Sequence, residues 1–517
     1  MIPDTGDGFL PRFRAAAAAE PERVFARIDG AVTFGALRRM ADGVALGLAR
    51  RGVGRGSRVA AMLRNGRLPL ALMHALAALG AVWVPLNARA RGASLRHVLD
   101  HAEPCLVLAE TDLLPAIAES GAALAGASLL DAAAPEVQAW LTATDRFDSA
   151  APPADAPFAI LYTSGTTGRP KGVIVTHRMM RLAGEAVAIV AAVADGDVML
   201  VWEPLYHIGG AQLIVVPLLR RVELAFVPRF SASRFWHDAA AAGATHVHYL
   251  GGILQMLMAQ PPGPHERAHR VRIAWGAGCP ADAWRAIEAR FGLRLRECYG
   301  MTEASSITTW NADGTPGAIG RPLPWFSVTL RDAGGRAAQR GEIVVRTHLP
   351  GALFPGYFRD PEATAAALRD GALHTGDLGV WDDAGNLVYA GRLADSVRCR
   401  GENVSAWEVE HVAAAHPAVA ACAMIGVAAE IGEQDIKLFV QPRPGAALTA
   451  PELARWLAAR LAPYQVPRYI AFVEDFPGTP SERIAKHALP QGRDDCWDRV
   501  AGQRGLCAVR PPAAGEP

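Results

Sequence analysis

Apolar residues recur at helical spacing from Phe34 to Arg51, directly after Thr33, whose hydroxyl suits a helix N-cap. Short apolar runs at Arg58–Leu63 and Ala81–Pro85 flank a second helical stretch, Leu70–Leu79, so the pattern predicts strand, helix, strand. Further strand-like runs follow at Ala159–Tyr162, Val198–Val201, Glu223–Val227, His246–Tyr249 and Arg272–Ala274. Strands alternating with helices predict βαβ units, and hence parallel sheets covered by helices. No repeat of the length that builds a solenoid runs through the chain.

The character changes near residue 390. Gly341–Arg346 and Leu387–Ala390 read as strands, with Gly385-Asn386 marking a turn. After Gly391-Arg392 comes a smaller α+β pattern: a helix at Glu408–Ala415, strands at Val419–Ile425 and Ile436–Gln441, and a helix at Pro451–Leu461. The expected division is a large α/β domain of parallel-rich sheets and helices over residues 1–391 and a hinge at 392–395. A small mobile α+β domain over 396–489 and a frayed tail over 490–517 complete it.

Composition narrows the function classes. The 517 residues carry 52 basic and 51 acidic side chains, so no global charge calls for nucleic acid or an anionic membrane. Seven cysteines form no Cys-x-x-Cys pair and no Cys/His cluster, which fits a reducing compartment better than a disulfide framework. The acidic N-terminus has no signal-peptide pattern, and the most apolar stretch, Leu68–Leu86, is interrupted by Pro69, His74 and Pro85. The expectation is a cytoplasmic protein without an integral membrane segment.

Candidate chemistry begins at Thr163-Ser164-Gly165-Thr166-Thr167-Gly168-Arg169-Pro170-Lys171. Glycines let successive backbone N–H groups turn toward one anion, and hydroxyls and a lysine add donors, so the loop suits a polyphosphate. The Walker A spacing cannot be laid on it.

This loop resembles the phosphate loop of the adenylate-forming superfamily, which includes acyl-CoA synthetases, luciferases and peptide-synthetase adenylation domains. Further motifs follow in the family's order: Pro204-Leu205-Tyr206-His207, Tyr299-Gly300-Met301-Thr302-Glu303, His374-Thr375-Gly376-Asp377, then Gly391-Arg392 and Gly401-Glu402-Asn403-Val404-Ser405. The last segment, with Glu408-Val409-Glu410 and Gln260-Pro261-Pro262, resembles most the crotonobetaine/carnitine-CoA ligase group.

The resemblance implies an ATP-dependent acid–CoA ligase acting in two steps at a site between the domains. A carboxylate and ATP give acyl-AMP and pyrophosphate; CoA then displaces AMP. It implies that Glu303 helps to hold Mg²⁺ and that Thr302 donates to the α-phosphate. Thr163–Lys171 would hold the outer phosphates, and Asp377 and Arg392 the ribose or phosphate. Tyr299, Gly300 and Gly276-Ala277-Gly278 would frame the adenine, and His207 would gate the acyl pocket. Gly401 lies in the stretch that resembles the family's segment opening a pantetheine tunnel after the small domain rotates, which implies the same role here. Ile208-Gly209-Gly210-Ala211 are small where aromatic-acid ligases carry bulk, which implies room for a broader acyl group.

Two departures stand out. Where the family has Gly-Lys-Ile, this chain has Glu482-Arg483-Ile484, so the adenylation lysine is either Lys486, the first candidate, or replaced by Arg483. At the hinge Ala394 stands in place of the usual lysine, while Asp395 is kept. No carrier domain follows Leu489, so free CoA is favoured over a carrier protein as acceptor. The rival readings are a stand-alone adenylating enzyme that loads a carrier, and an inactive nucleotide-binding relative.

Overall fold

The computed structural model describes residues 6–124, 126–163, 170–399, 402–429, 434–461, 463–478 and 484–500. Its contacts divide the chain into two compact units. The larger holds residues up to 329 with 344–374 and 381–388; the smaller holds 330–343, 375–380 and the chain from 389 onward.

In the larger unit the helical period of the first strongly amphipathic segment yields the helix Phe34–Arg50, and the Thr33 hydroxyl accepts from the Ala36 N–H at 3.2 Å. Its Gly43 and Gly47 cost helix propensity of about 1 kcal/mol each. They are there because a Cβ at 47 would lie 2.3 Å from the Trp140 ring, and one at 43 would lie 2.1 Å from the Trp140 carbonyl oxygen.

Two sheets organise this unit. One has six strands in the order Ser128–Asp131, Leu106–Ala109, Arg58–Met62, Val82–Pro85, Pro157–Thr163 and Lys171–Thr176. All its pairings are parallel except the last, a hairpin that pairs Thr163 with Lys171. In the other, Val24–Arg27, Glu223–Phe226, Val198–Val201, His246–Leu250, Ile273–Ala277 and Arg294–Tyr299 run parallel in that spatial order. Antiparallel Thr309–Trp310 and Ala318–Pro322 extend its far side. A core of Trp202, Phe235, Trp236, Tyr249, Trp284, Phe291 and their neighbours packs on this second sheet.

The smaller unit carries a four-stranded sheet, Val419–Ala428, Gln434–Pro442, Tyr469–Phe472 and Trp497–Asp498, with the helices Ala406–Ala414 and Ala450–Ala458. Val404, Val409, Leu438, Val440, Leu453, Leu457 and Ile470 form its core. Chain after Leu489 joins this sheet: Ile470 pairs with Trp497. The fully buried ammonium of Lys437 donates to Asp495 at 2.6 Å and to the Gly492 carbonyl at 2.6 Å. A buried cation needs such oxygens to offset lost hydration.

Among the described residues no helix is long and apolar enough to cross a membrane, and six of the seven cysteines are seen as free thiols.

Candidate active site

The expected site residues fall in both units. Thr163 and Lys171 close the hairpin that carries the proposed phosphate loop; Ser164, Gly165, Thr166, Thr167 and Gly168 lie outside the described residues. From Lys171 a row of contacts leads to the candidate magnesium carboxylate. The Lys171 ammonium is 5.3 Å from the centre of the Tyr357 ring, and the Tyr357 hydroxyl donates to Glu303 Oε1 at 2.8 Å. Burial, then the Glu303 charge, pushes the Tyr357 phenol well above its ordinary value, so it stays a donor. Tyr357 belongs to no motif and was not legible in the sequence.

Glu303 and Thr302 sit on one turn of 3₁₀ helix, both buried. The chain reaches it through a tight loop: a Cβ on Gly300 would lie 2.0 Å from the Ser306 carbonyl oxygen. Ser305 and Ser306 both adopt positive φ, at 51° and 76°, a strained choice that surrounding structure must hold. Tyr299 ends its strand paired with Thr309.

Gly276, Ala277 and Gly278 end the neighbouring strand and begin the turn after it. Gly276 lets the Tyr249 backbone approach, since a Cβ would sit 1.8 Å from the Tyr249 carbonyl oxygen; Gly278 has φ +88°. This turn is held from behind by Glu297, another residue without a motif. Its carboxylate accepts from the Gly278 and Cys279 N–H groups and from the Tyr249 hydroxyl. Burial pushes Glu297 up to about 7, against those three donors, which pull it down.

His207 precedes the short helix Ile208–Ala211, and its N–H donates to the Pro204 carbonyl at 3.1 Å. The smallness of Gly209 and Gly210 has a different cause from the expected acyl room. A Cβ at Gly209 would lie 2.4 Å from Glu203 Oε2, and one at Gly210 would lie 2.4 Å from the Pro204 carbonyl oxygen. The space is taken by a buried carboxylate and by backbone.

In the smaller unit Asp377 and Arg392 come together, Arg392 Nε 3.4 Å from Asp377 Oδ1. Asp377 is buried, its N–H donates to Thr375 Oγ1 at 3.1 Å, and that hydroxyl donates to the Ile343 carbonyl at 2.7 Å. Burial alone would lower the Arg392 value; the Asp377 charge reverses this and raises it. The pair is a cation and an acceptor set side by side, suited to a phosphorylated sugar.

Lys486 Nζ lies 2.8 Å from Glu410 Oε1 and 3.3 Å from Asp395 Oδ2. Arg483 and Gly401 lie outside the described residues.

Among the described residues no group of three or more His, Cys, Asp and Glu side chains stands ready to hold a metal by itself. The buried Glu303 carboxylate beside a cationic loop end fits magnesium, which takes one or two carboxylates together with phosphate oxygens.

Comparison with known proteins bears on the same residues. The model of the AMP-binding enzyme family matches residues 13–358, and that of the AMP-binding enzyme C-terminal domain matches residues 408–483. A sulfoacetate–CoA ligase of Cupriavidus necator is 33% identical over 474 residues, covering 89% of this chain and 92% of that protein. A crotonobetaine/carnitine–CoA ligase of Escherichia coli is 32% identical over 460 residues, covering 85% and 89%. Among solved structures, ATP-bound MatB from Rhodopseudomonas palustris superposes with a TM-score of 0.83 at 29% identity, covering 92% of this chain and 97% of that one.

Proposed function

The chain belongs to the AMP-binding enzyme family, and from that membership we propose that it is an ATP-dependent acid–CoA ligase. The observation that carries this is one of coverage. Similarity to two CoA ligases runs through most of the chain, across both family domains, rather than through a nucleotide-binding part alone.

The reaction has two steps. A carboxylate oxygen of the acid attacks the α-phosphorus of ATP, and the bond to the bridging oxygen of pyrophosphate breaks. The CoA thiol then attacks the acyl carbonyl, loses its proton, and AMP departs. The first step brings two anions together, so positioning and charge neutralisation carry most of the catalysis. In our reading Lys171, with the loop before it, holds the outer phosphates and Thr302 donates to the α-phosphate. Tyr299 and the Gly276–Gly278 turn frame the adenine. Asp377 accepts from the ribose hydroxyls beside Arg392, and His207 receives the incoming carboxylate. Magnesium, held by Glu303 and oriented through Tyr357, would neutralise phosphate charge there.

The domain boundary at 391–395, and a turning of the smaller domain there between steps, belong to the same proposal. So do Gly401 on the pantetheine path and Lys486 or Arg483 as the adenylation cation. A cytoplasmic location, where ATP and CoA are both at hand, goes with it. The test is product analysis with free CoA: an acyl-CoA thioester formed together with AMP and pyrophosphate is expected. Acyl-AMP that accumulates and transfers only to a carrier protein would overturn CoA as acceptor.

A further inference from the structure

We propose that His248, held by Glu203, sets acyl specificity, and that the acid activated carries a second oxygen function, a hydroxyl, carbonyl or carboxylate, that His248 binds. This deepens the acid–CoA ligase reading and rests on it.

Glu203 is 8% exposed and His248 7%, in the larger unit. His248 Nδ1 stands 2.7 Å from Glu203 Oε2, yet neither atom has an aligned hydrogen bond among the described residues. Burial pushes the Glu203 carboxyl up, but the facing His248 and the nearby His207 outweigh it and leave it below its ordinary value. Glu203 is thus an anion set near two histidines, one of which is the expected gate for the acid.

Place in the fold ties the pair to the acyl side. Glu203 lies two residues beyond the carboxyl end of Val198–Val201, and His248 is in the neighbouring parallel strand, His246–Leu250. Ligands of parallel α/β sheets bind outside the carboxyl ends of the strands. The next strand over, which pairs His248 with Trp275, ends in the Gly276–Gly278 turn. His248 is therefore one strand from the expected nucleotide turn and one carboxylate from His207.

The pair is also built in. The Asn65 amide donates to the Glu203 carbonyl at 3.0 Å and accepts from the Leu205 N–H at 2.9 Å, fixing the turn. Gly209 leaves the carboxylate its space. The His248 ring lies against Trp275, centroids 4.2 Å apart, and Trp202 Nε1 donates to the His248 carbonyl at 2.8 Å. No hydrogen bond to another described residue engages His248 Nε2. With Nδ1 turned to Glu203, Nε2 is the nitrogen left for a ligand: it accepts from a hydroxyl when the ring carries its one proton on Nδ1, and donates to a carbonyl or carboxylate oxygen when both nitrogens carry protons. A carboxylate and an imidazole are costly to bury in a wall meant for hydrocarbon, whereas an oxygen-bearing acid gives them a partner. Glu203 acts through His248 and is a positioning residue.

The test is pyrophosphate exchange with straight-chain acids of several lengths, each beside its hydroxy, oxo and dicarboxylic counterparts, for wild type and for His248→Phe, His248→Gln and Glu203→Gln. Wild type should favour an oxygenated acid over its alkyl match by about tenfold or more in kcat/KM. His248→Phe should erase or invert that preference while leaving KM for ATP unchanged, and His248→Gln, which keeps a donor, should restore part of it. Glu203→Gln should weaken the preference through KM for the acid. A wild type that favours alkyl acids, or a preference untouched in His248→Phe, overturns this inference and leaves the ligase reading standing. Exchange with no acid at all overturns both.

Discussion

The Lys486 ammonium lies 2.8 Å from the Glu410 carboxylate, and Asp395, at the expected pivot of the chain, lies 3.3 Å from the same nitrogen. One cation therefore serves two acids inside the smaller unit. In the proposed adenylation role, ATP competes with both acids for this nitrogen.

Lys486→Ala should abolish acyl-AMP formation and spare the reaction of supplied acyl-AMP with CoA; normal adenylation by this variant, lost instead in Arg483→Ala, would transfer the role to Arg483. The variant has a second signature. Burial already holds Glu410 above its ordinary value despite Lys486, and removing the cation raises it further. A carboxyl raised in the folded state stabilises below its unfolded value, and that contribution is lost as pH rises through the folded value. Lys486→Ala should thus melt lower than wild type at pH 8, by about 1–3 kcal/mol, and approach it near pH 5. Melting curves at the two pH values check this.

Glu303→Gln should raise the magnesium needed for half-maximal turnover by roughly tenfold or more, since an amide oxygen binds a hard cation less well than a carboxylate. Tyr357→Phe removes the donor at 2.8 Å and should give a smaller shift in the same direction. Magnesium titration of the exchange rate measures both, and unchanged curves would remove Glu303 from the metal site.

Asp377→Ala takes away the acceptor beside Arg392. Charged hydrogen bonds contribute about 1.5–3 kcal/mol each, so KM for ATP should rise roughly tenfold to hundredfold with little change in KM for the acid. An equal rise in both would point to damage beyond the nucleotide site.

Glu297 predicts a pH effect on the fold. Its folded-state value of about 7 lies above the ordinary 4.5, so it favours folding at low pH and costs stability as pH climbs through 7. Between pH 5 and 8 the loss reaches ~3 kcal/mol. Glu297→Gln cannot ionise and should flatten the stability curve over that interval; a slope equal to that of wild type by chemical denaturation would contradict the account.

Legibility in the sequence followed the range of the interaction. The helix after Thr33 and the strand Val198–Val201 were readable because cap and periodicity are local. The hairpin that makes Lys171–Thr176 antiparallel to its neighbour was not, because pairing direction depends on how the chain returns. Motif residues such as Asp377 and Arg392 were nominated by type and order, and the structure sets these two side by side. Tyr357, Glu297 and Glu203 were missed because each acts across a gap in sequence, on Glu303, on the Gly278 turn and on His248. Gly209 shows the limit most clearly. Its smallness was visible, but only the carboxylate lying over it says what the smallness is for.

Acid activation followed by thioester formation is read out together by acid-dependent ATP–pyrophosphate exchange over a panel of carboxylates, with and without CoA. An acid–CoA ligase should show exchange with one class of acid in the absence of CoA, and acyl-CoA with AMP once CoA is added. ATP binding without exchange for any acid would contradict the ligase reading, and would make the Glu482-Arg483 replacement the first cause to test.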